Sequence, residues 1–237
     1  MSNLVEFITY TKGVEYLIAI SFLLVFIWFW RFARGGELVT VRAEERVAVG
    51  IPKRIEDVIG GFLLPRDVYY HQGHTWVRPE SGDVVAVGID DFAQKLLGKI
   101  DGADLPQVGA SIKQGDRGIS LIVDDRSVDL LSPVDGMVVA VNNRVLESPD
   151  AINRDPYGEG WLFKVQVPRM KANMTGLLSG NLAKKWMDEV AERLMARVAP
   201  AAGTVALDAG PAAAGIARQI AGDDWVDLAS EFLMTKA

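Results

Sequence analysis

The sequence predicts a mainly β domain with an N-terminal transmembrane helix before it and C-terminal helices after it. Three observations predict this. Residues 16–30 are an uncharged apolar run, YLIAISFLLVFIWFW. Between Tyr69 and Val167, short β-branched runs alternate with turn signals rich in Gly, Pro, Asp and Ser. From residue 179 onward the apolar spacing lengthens to that of a helix.

The N-terminal run of 15 residues spans roughly 22 Å as a helix, against an apolar bilayer core of about 30 Å. Val14, Phe32 and Ala33 extend it, and Arg31 snorkels, giving a span over residues 16–33. Tyr16, Trp28 and Trp30 stand at its ends, where aromatic rings favour the interface. A cleaved signal peptide fits poorly. No basic cluster precedes the run, and Arg31 and Arg34 stand where small neutral residues would be needed. Arg31, Arg34, Arg42, Arg46, Lys53 and Arg54 follow the run, while only Lys12 precedes it, which orients the bulk of the chain to the cytoplasm.

Composition narrows the chemistry. The chain of 237 residues carries a net charge of −6, a pI of about 5.0 and a mean hydropathy of +0.15. This balance lacks the basic surface of a nucleic-acid binder. With no cysteine, disulfides, thiolate-held iron–sulfur clusters and thiol nucleophiles are excluded. Two histidines, His71 and His74, are too few for a multi-histidine metal or haem site.

The elements follow in order. Residues 37–52 alternate apolar and polar, as a strand or extended linker does, and residues 55–64 predict a short helix before Pro65. The runs VVAVGI, GISLIV, GMVVAV and WLFKVQV predict strands. Residues 90–97 predict a helix capped by Asp90 and ended by Gly98. Residues 179–198 predict a long helix with an apolar stripe of Leu178, Leu182, Trp186, Val190, Leu194 and Val198, and a solvent-side pair of Glu189 with Arg193. An Ala-, Gly- and Pro-rich linker covers 199–211. Residues 212–237 predict an amphipathic helix carrying Ile216, Ile220, Trp225, Leu228, Phe232 and Leu233, interrupted at Gly222. Such a helix must dock on its own domain, on the membrane or on a partner. The domains are then 1–34 (membrane helix), 35–64 (linker with a short helix), 65–198 (β domain with its helix), 199–211 and 212–237.

A family resemblance covers roughly half the chain, from about residue 65 to 180. Its motifs are Gly73-His74-Thr75-Trp76-Val77; Val87-Gly88-Ile89-Asp90-Asp91-Phe92-Ala93-Gln94 with Leu97-Gly98; Leu105-Pro106 with Val108-Gly109; Ser132-Pro133-Val134 with Gly136; and Ser148-Pro149 running on to Asp155-Pro156-Tyr157-Gly158-Glu159-Gly160-Trp161-Leu162-Phe163-Lys164. These motifs resemble, in order and spacing, those of the glycine cleavage system H protein. The resemblance implies a flattened β-barrel or sandwich hybrid of two antiparallel sheets, related to lipoyl and biotinyl domains.

In that family lipoate is joined by an amide to a lysine at a hairpin tip, seven residues before the Ser of the Ser-Pro-Val motif. Counting back from Ser132 reaches Asp125, whose carboxylate cannot form that amide. Its neighbours are Asp124 and Arg126, and no lysine stands between Gln114 and Phe163. No cofactor-binding residue, and no cofactor, is therefore expected.

Other candidate residues read as structural. His71 and His74 are too isolated to make a metal site. Asp124, Asp125, Asp129 and Asp135 read as solvated hairpin acids, Asp90 and Asp91 as a helix cap, and Gly158 with Gly160 as a tight turn, since no Lys-Ser/Thr helix follows. Trp186 reads as core packing and Trp225 as a docking residue. No catalytic or metal-ligating residue emerges. The sequence thus predicts a non-catalytic, H-protein-like accessory subunit of a bacterial inner-membrane complex, respiratory or redox in character. Its partners are other subunits and the bilayer, with neither nucleic acid nor a small-molecule substrate. The alternatives are a lipoyl carrier using an unusual lysine and a regulator that mimics the H protein.

Overall fold

The computed structural model describes residues 21–23, 25–26, 56–201 and 215–236. The chain divides into two units, Met1–Ile51 and Pro52–Ala237. In the first unit the described residues are helical and solvent-facing, with Phe22 70% and Val25 63% exposed and the Phe22 and Phe26 rings stacked at 6.5 Å. The rest of the expected span, the segment 37–52 and most of the 199–211 linker lie outside the described residues. Among the described residues no helix is long and apolar enough to cross a membrane.

The second unit opens with a hairpin of β1 (Glu56–Ile59) and β2 (Phe62–Pro65), paired in register from Ile59 with Phe62 to Glu56 with Pro65. This corrects the helix expected over 55–64. Gly60 and Gly61 both have positive φ, 56° and 87°, and form the two-residue turn that a right-twisted hairpin favours. Phe62 and Leu64 point into the core, so the hairpin belongs to the domain and not to a linker. Gly60 is also fixed by space, since a Cβ there would sit 2.3 Å from that of Ala191.

Next come β3 (Tyr69–Tyr70), β4 (Thr75–Pro79), β5 (Val84–Ile89), α1 (Asp91–Leu97), β6 (Gly102–Asp104), β7 (Ser111–Ile112), β8 (Arg117–Val123), β9 (Arg126–Leu131) and β10 (Gly136–Val141). Two short helices, α2 (Asn143–Glu147) and α3 (Asp150–Arg154), lead to β11 (Phe163–Gln166), and α4 (Met170–Thr175) leads to α5 (Gly180–Ala201). A six-stranded antiparallel sheet has the order β3-β4-β5-β11-β10-β7, and a three-stranded one the order β6-β8-β9. The mainly β class is the one expected, and the β1–β2 hairpin adds a third, two-stranded sheet to the two expected.

The core lies where period-two alternation sends side chains inward. Val85, Val87 and Ile89 of β5 and Ile119, Leu121 and Val123 of β8 are fully or nearly fully buried. Trp76 is buried against Gly88, where a Cβ would come 2.5 Å from the indole, and its Nε1 donates to the carbonyls of Ile89 and Pro156 at 2.8 and 3.2 Å.

Helix α5 buries Ala183, Met187, Val190, Ala191 and Leu194, while Leu182 is 68% exposed. The expected stripe is corrected accordingly: residues four apart advance about 40° around a helix, so a strict four-residue row winds off the buried face. The helix runs to Ala201, past the expected end at Val198. Glu189 pairs with Lys185, and Arg193 lies over the Phe232 ring instead of meeting Glu189.

The C-terminal segment is two helices, not one. These are α6 (Ile216–Ala221) and α7 (Trp225–Phe232), joined by a 3-10 turn at Gly222–Asp224 where Gly222 has φ 55°.

Candidate functional site

The position singled out by counting back from Ser132 lies at the crest of the β8–β9 hairpin. Val123 pairs with Arg126, which leaves Asp124 and Asp125 as the entire turn, at φ 45° and 62°. Asp and Asn tolerate this left-handed region better than other side chains that carry a Cβ. All three residues Asp124, Asp125 and Arg126 are exposed. The Asp124 amide donates to Asp101 Oδ2 at 3.1 Å. Asp129 accepts from Ser120 Oγ at 2.8 Å, and Asp135 Oδ1 from the Gln114 amide, so these acids serve the hairpins.

The tip is held by the C-terminal segment. The Asp124 carboxylate pairs with the Arg218 guanidinium of α6. Arg126 Nη1 donates to the Asp223 carbonyl at 2.6 Å. Beside the tip α6 packs on α1, and α7 on β9. Ile216, Trp225, Leu228, Phe232 and Leu233 are buried there, each worth about 1.5–3 kcal/mol of transfer free energy before the entropy of ordering. The exposed ion pair adds far less, about 0–1 kcal/mol. Apolar burial therefore docks the segment, and the tip sets its register. Of the three destinations open to this amphipathic segment, the structure chooses its own domain. Sequence reasoning missed Arg218 and Asp223, because nothing local marks a base in one segment as the partner of an acid more than ninety residues away.

Under the tail lies the second constellation. His74 ends the turn between β3 and β4 at φ 64° and is fully buried. Its ring stacks on Phe92 at 4.2 Å and tilts against Trp186 at 4.8 Å. Nδ1 lies 2.8 Å from Asp90 Oδ2, and Asp90 Oδ1 accepts from the Ala93 amide at 2.8 Å, capping α1. His74 Nε2 is buried without a hydrogen-bond partner. Asp91 turns the other way, accepting from the Leu63 amide and pairing with Lys95, both at 2.8 Å. His71 accepts from the Gly73 amide through Nδ1, and burial together with nearby His74 lowers its pKa below 6.5. Burial and the charge of Asp90 push the Tyr70 and Tyr157 hydroxyls far up. Gly158 and Gly160 form the turn that wraps Asp155, whose carbonyl accepts from both their amides. Trp186 walls an open groove of about 770 Å³ with Gln72, Glu189, Arg193, Glu231 and Met234. Among the described residues no three His, Asp or Glu converge as a metal-binding set.

A family model described as glycine cleavage H-protein matches residues 68–190. This chain belongs to the glycine cleavage H-protein family. The H protein of Carboxydothermus hydrogenoformans is 42% identical over 131 residues, covering 55% of this chain and 98% of that protein. The H protein of Alteromonas mediterranea is 39% identical over 126 residues, covering 53% and 97%. A crystal structure of the Mycobacterium marinum H protein is 33% identical, covers 44% of this chain and 87% of that one, and superposes with a TM-score of 0.41. A second family model, which names no function, matches residues 1–37. The H-protein match takes in the hairpin tip, His74, Asp90 and the first half of α5. It ends before the segment that holds the tip.

Proposed function

We propose that this chain is a non-lipoylated H-protein-like scaffolding subunit of a bacterial membrane complex, respiratory or redox in character and tethered by one transmembrane helix over residues 16–33. The β domain lies on the cytoplasmic side of the inner membrane and performs no catalysis. The observation that carries this reading is the hairpin tip. Where the family resemblance puts the attachment lysine, this chain has Asp125 at φ 62° between two residues engaged with the C-terminal segment. A carboxylate accepts neither an acyl group in amide linkage nor a swinging arm. The apolar run of residues 16–30, the basic residues after it and the exposed Phe22 and Val25 support the membrane tether.

The test is made on protein extracted in detergent from native, lipoate-replete membranes. Intact mass should equal that of the bare polypeptide, and defined partner subunits should co-purify in fixed ratio. A dithiolane adduct on the β domain would return the chain to the carriers. Recovery as a lone monomer would remove the scaffolding role.

A further inference from the structure

We infer that the β domain contains a binding groove for an amphipathic helix, built by α1, β9, the turn at Gly73 and the Arg193 and Arg197 side of α5, and that residues 215–236 are its resident ligand. The acid–acid–base hairpin tip is the polar rim of that groove. The inference rests on the reading above, in which the tip carries no prosthetic group and is available for another use.

The apolar half of the contact is a wedge. Phe232 meets Phe92 of α1 with ring centroids 5.6 Å apart, and Trp225, Leu228 and Leu233 are buried beside it. The polar half fixes direction and register. The Gly215 amide donates to the Lys95 carbonyl at 2.8 Å at the entry, Arg218 pairs with Asp124 in the middle, and the Asp223 carbonyl accepts from Arg126. The far end fits closely at Gly73, where a Cβ would stand 2.9 Å from the Leu233 carbonyl oxygen. The tip residues suit the same role. Asp is well tolerated at the first position of a two-residue turn with both φ positive, and at position 124 its carboxylate meets Arg218. Between α5 and α6 the sequence from 202 to 214 is AGTVALDAGPAAA, small residues for the most part. A groove with apolar anchors in its floor and charges on its rim is the usual arrangement for a helix held by spaced side chains.

The test uses the full chain with a protease site set into residues 202–214, cut after purification, and a fluorescent synthetic peptide of residues 212–237. After the native segment is released by dilution, the peptide should rebind saturably by fluorescence anisotropy. Leu228→Asp in the peptide should weaken binding by about a hundredfold or more. Arg218→Asp should weaken it about fivefold at low salt, and Asp124→Lys in the protein should recover most of that loss. Absence of rebinding overturns the inference, as does binding indifferent to Leu228→Asp. Loss of the β-domain circular dichroism on release also overturns it, because the segment would then be core and not ligand. Intact mass of the large fragment reports separately on any attached group, so the two readings fail independently.

Discussion

Asp90 uses one carboxylate twice, capping α1 through Oδ1 and holding the His74 imidazole through Oδ2. Asp90→Ala should therefore cost more than an ordinary cap, about 2–4 kcal/mol by urea denaturation, because it also strands a buried ring nitrogen. Asp90→Asn, which keeps the capping oxygen, should cost less. The cap was legible from Asp90 standing before a helical run that ends at Gly98. The imidazole partner was not, because it lies 16 residues away across the sheet. His71 supplies a pH test. Its folded-state pKa is depressed, so the unfolded chain takes up the proton first as pH falls. Its stabilising contribution is complete above pH 6.5, the ordinary histidine value, and is lost as the solution is acidified from there towards the lower folded-state value. His71→Asn should flatten that part of a Tm-against-pH profile. At Gly88, alanine would drive its Cβ into the Trp76 indole and should lower stability by about 1–3 kcal/mol.

Among the elements, α5 shows what a sequence pattern resolves and what it does not. The helix was legible from its apolar recurrence, but a row counted in fours assigned Leu182 to the core. Leu194→Ala should cost about 2–4 kcal/mol, while Leu182→Ala should stay within about 0.5 kcal/mol, both by chemical denaturation. The β1–β2 hairpin was misread for a different reason. The residues flanking Gly60 and Gly61 suit helix and strand alike, and only the glycine pair specified the reversal. Helices α2, α3 and α4, five or six residues each, are too short for any periodicity to declare them. The break at Gly222 was legible, whereas the surface receiving α6 and α7 was not. That surface is assembled from α1, β9, the Gly73 turn and α5, segments far apart in sequence.

For the whole molecule, the run of strands along the β domain was legible from turn residues and inward alternation, and the family from its resemblance in motif order and spacing; the pairing order of the sheets was not legible, because it is set by contacts between segments far apart in sequence. The proposed membrane tether makes its own prediction. The chain should stay with the membrane through an alkaline carbonate wash, and protease should digest the β domain in inverted vesicles but not in sealed right-side-out ones. Digestion from the outer side would reverse the proposed orientation. The sheet order bears on how the proposed partner subunits would attach. The six-stranded sheet ends in β3 and β7, two residues each, and Tyr70 of β3 is already bridged to Leu178. The three-stranded sheet ends in three-residue β6 on one side and, on the other, in β9 with α7 packed against it. An extended peptide needs a long, bare row of amides and carbonyls to join as an added strand, and these margins offer none. At these two sheets, attachment of the proposed partner subunits would therefore fall to helices and side chains, which would make it sensitive to single surface substitutions and indifferent to backbone register.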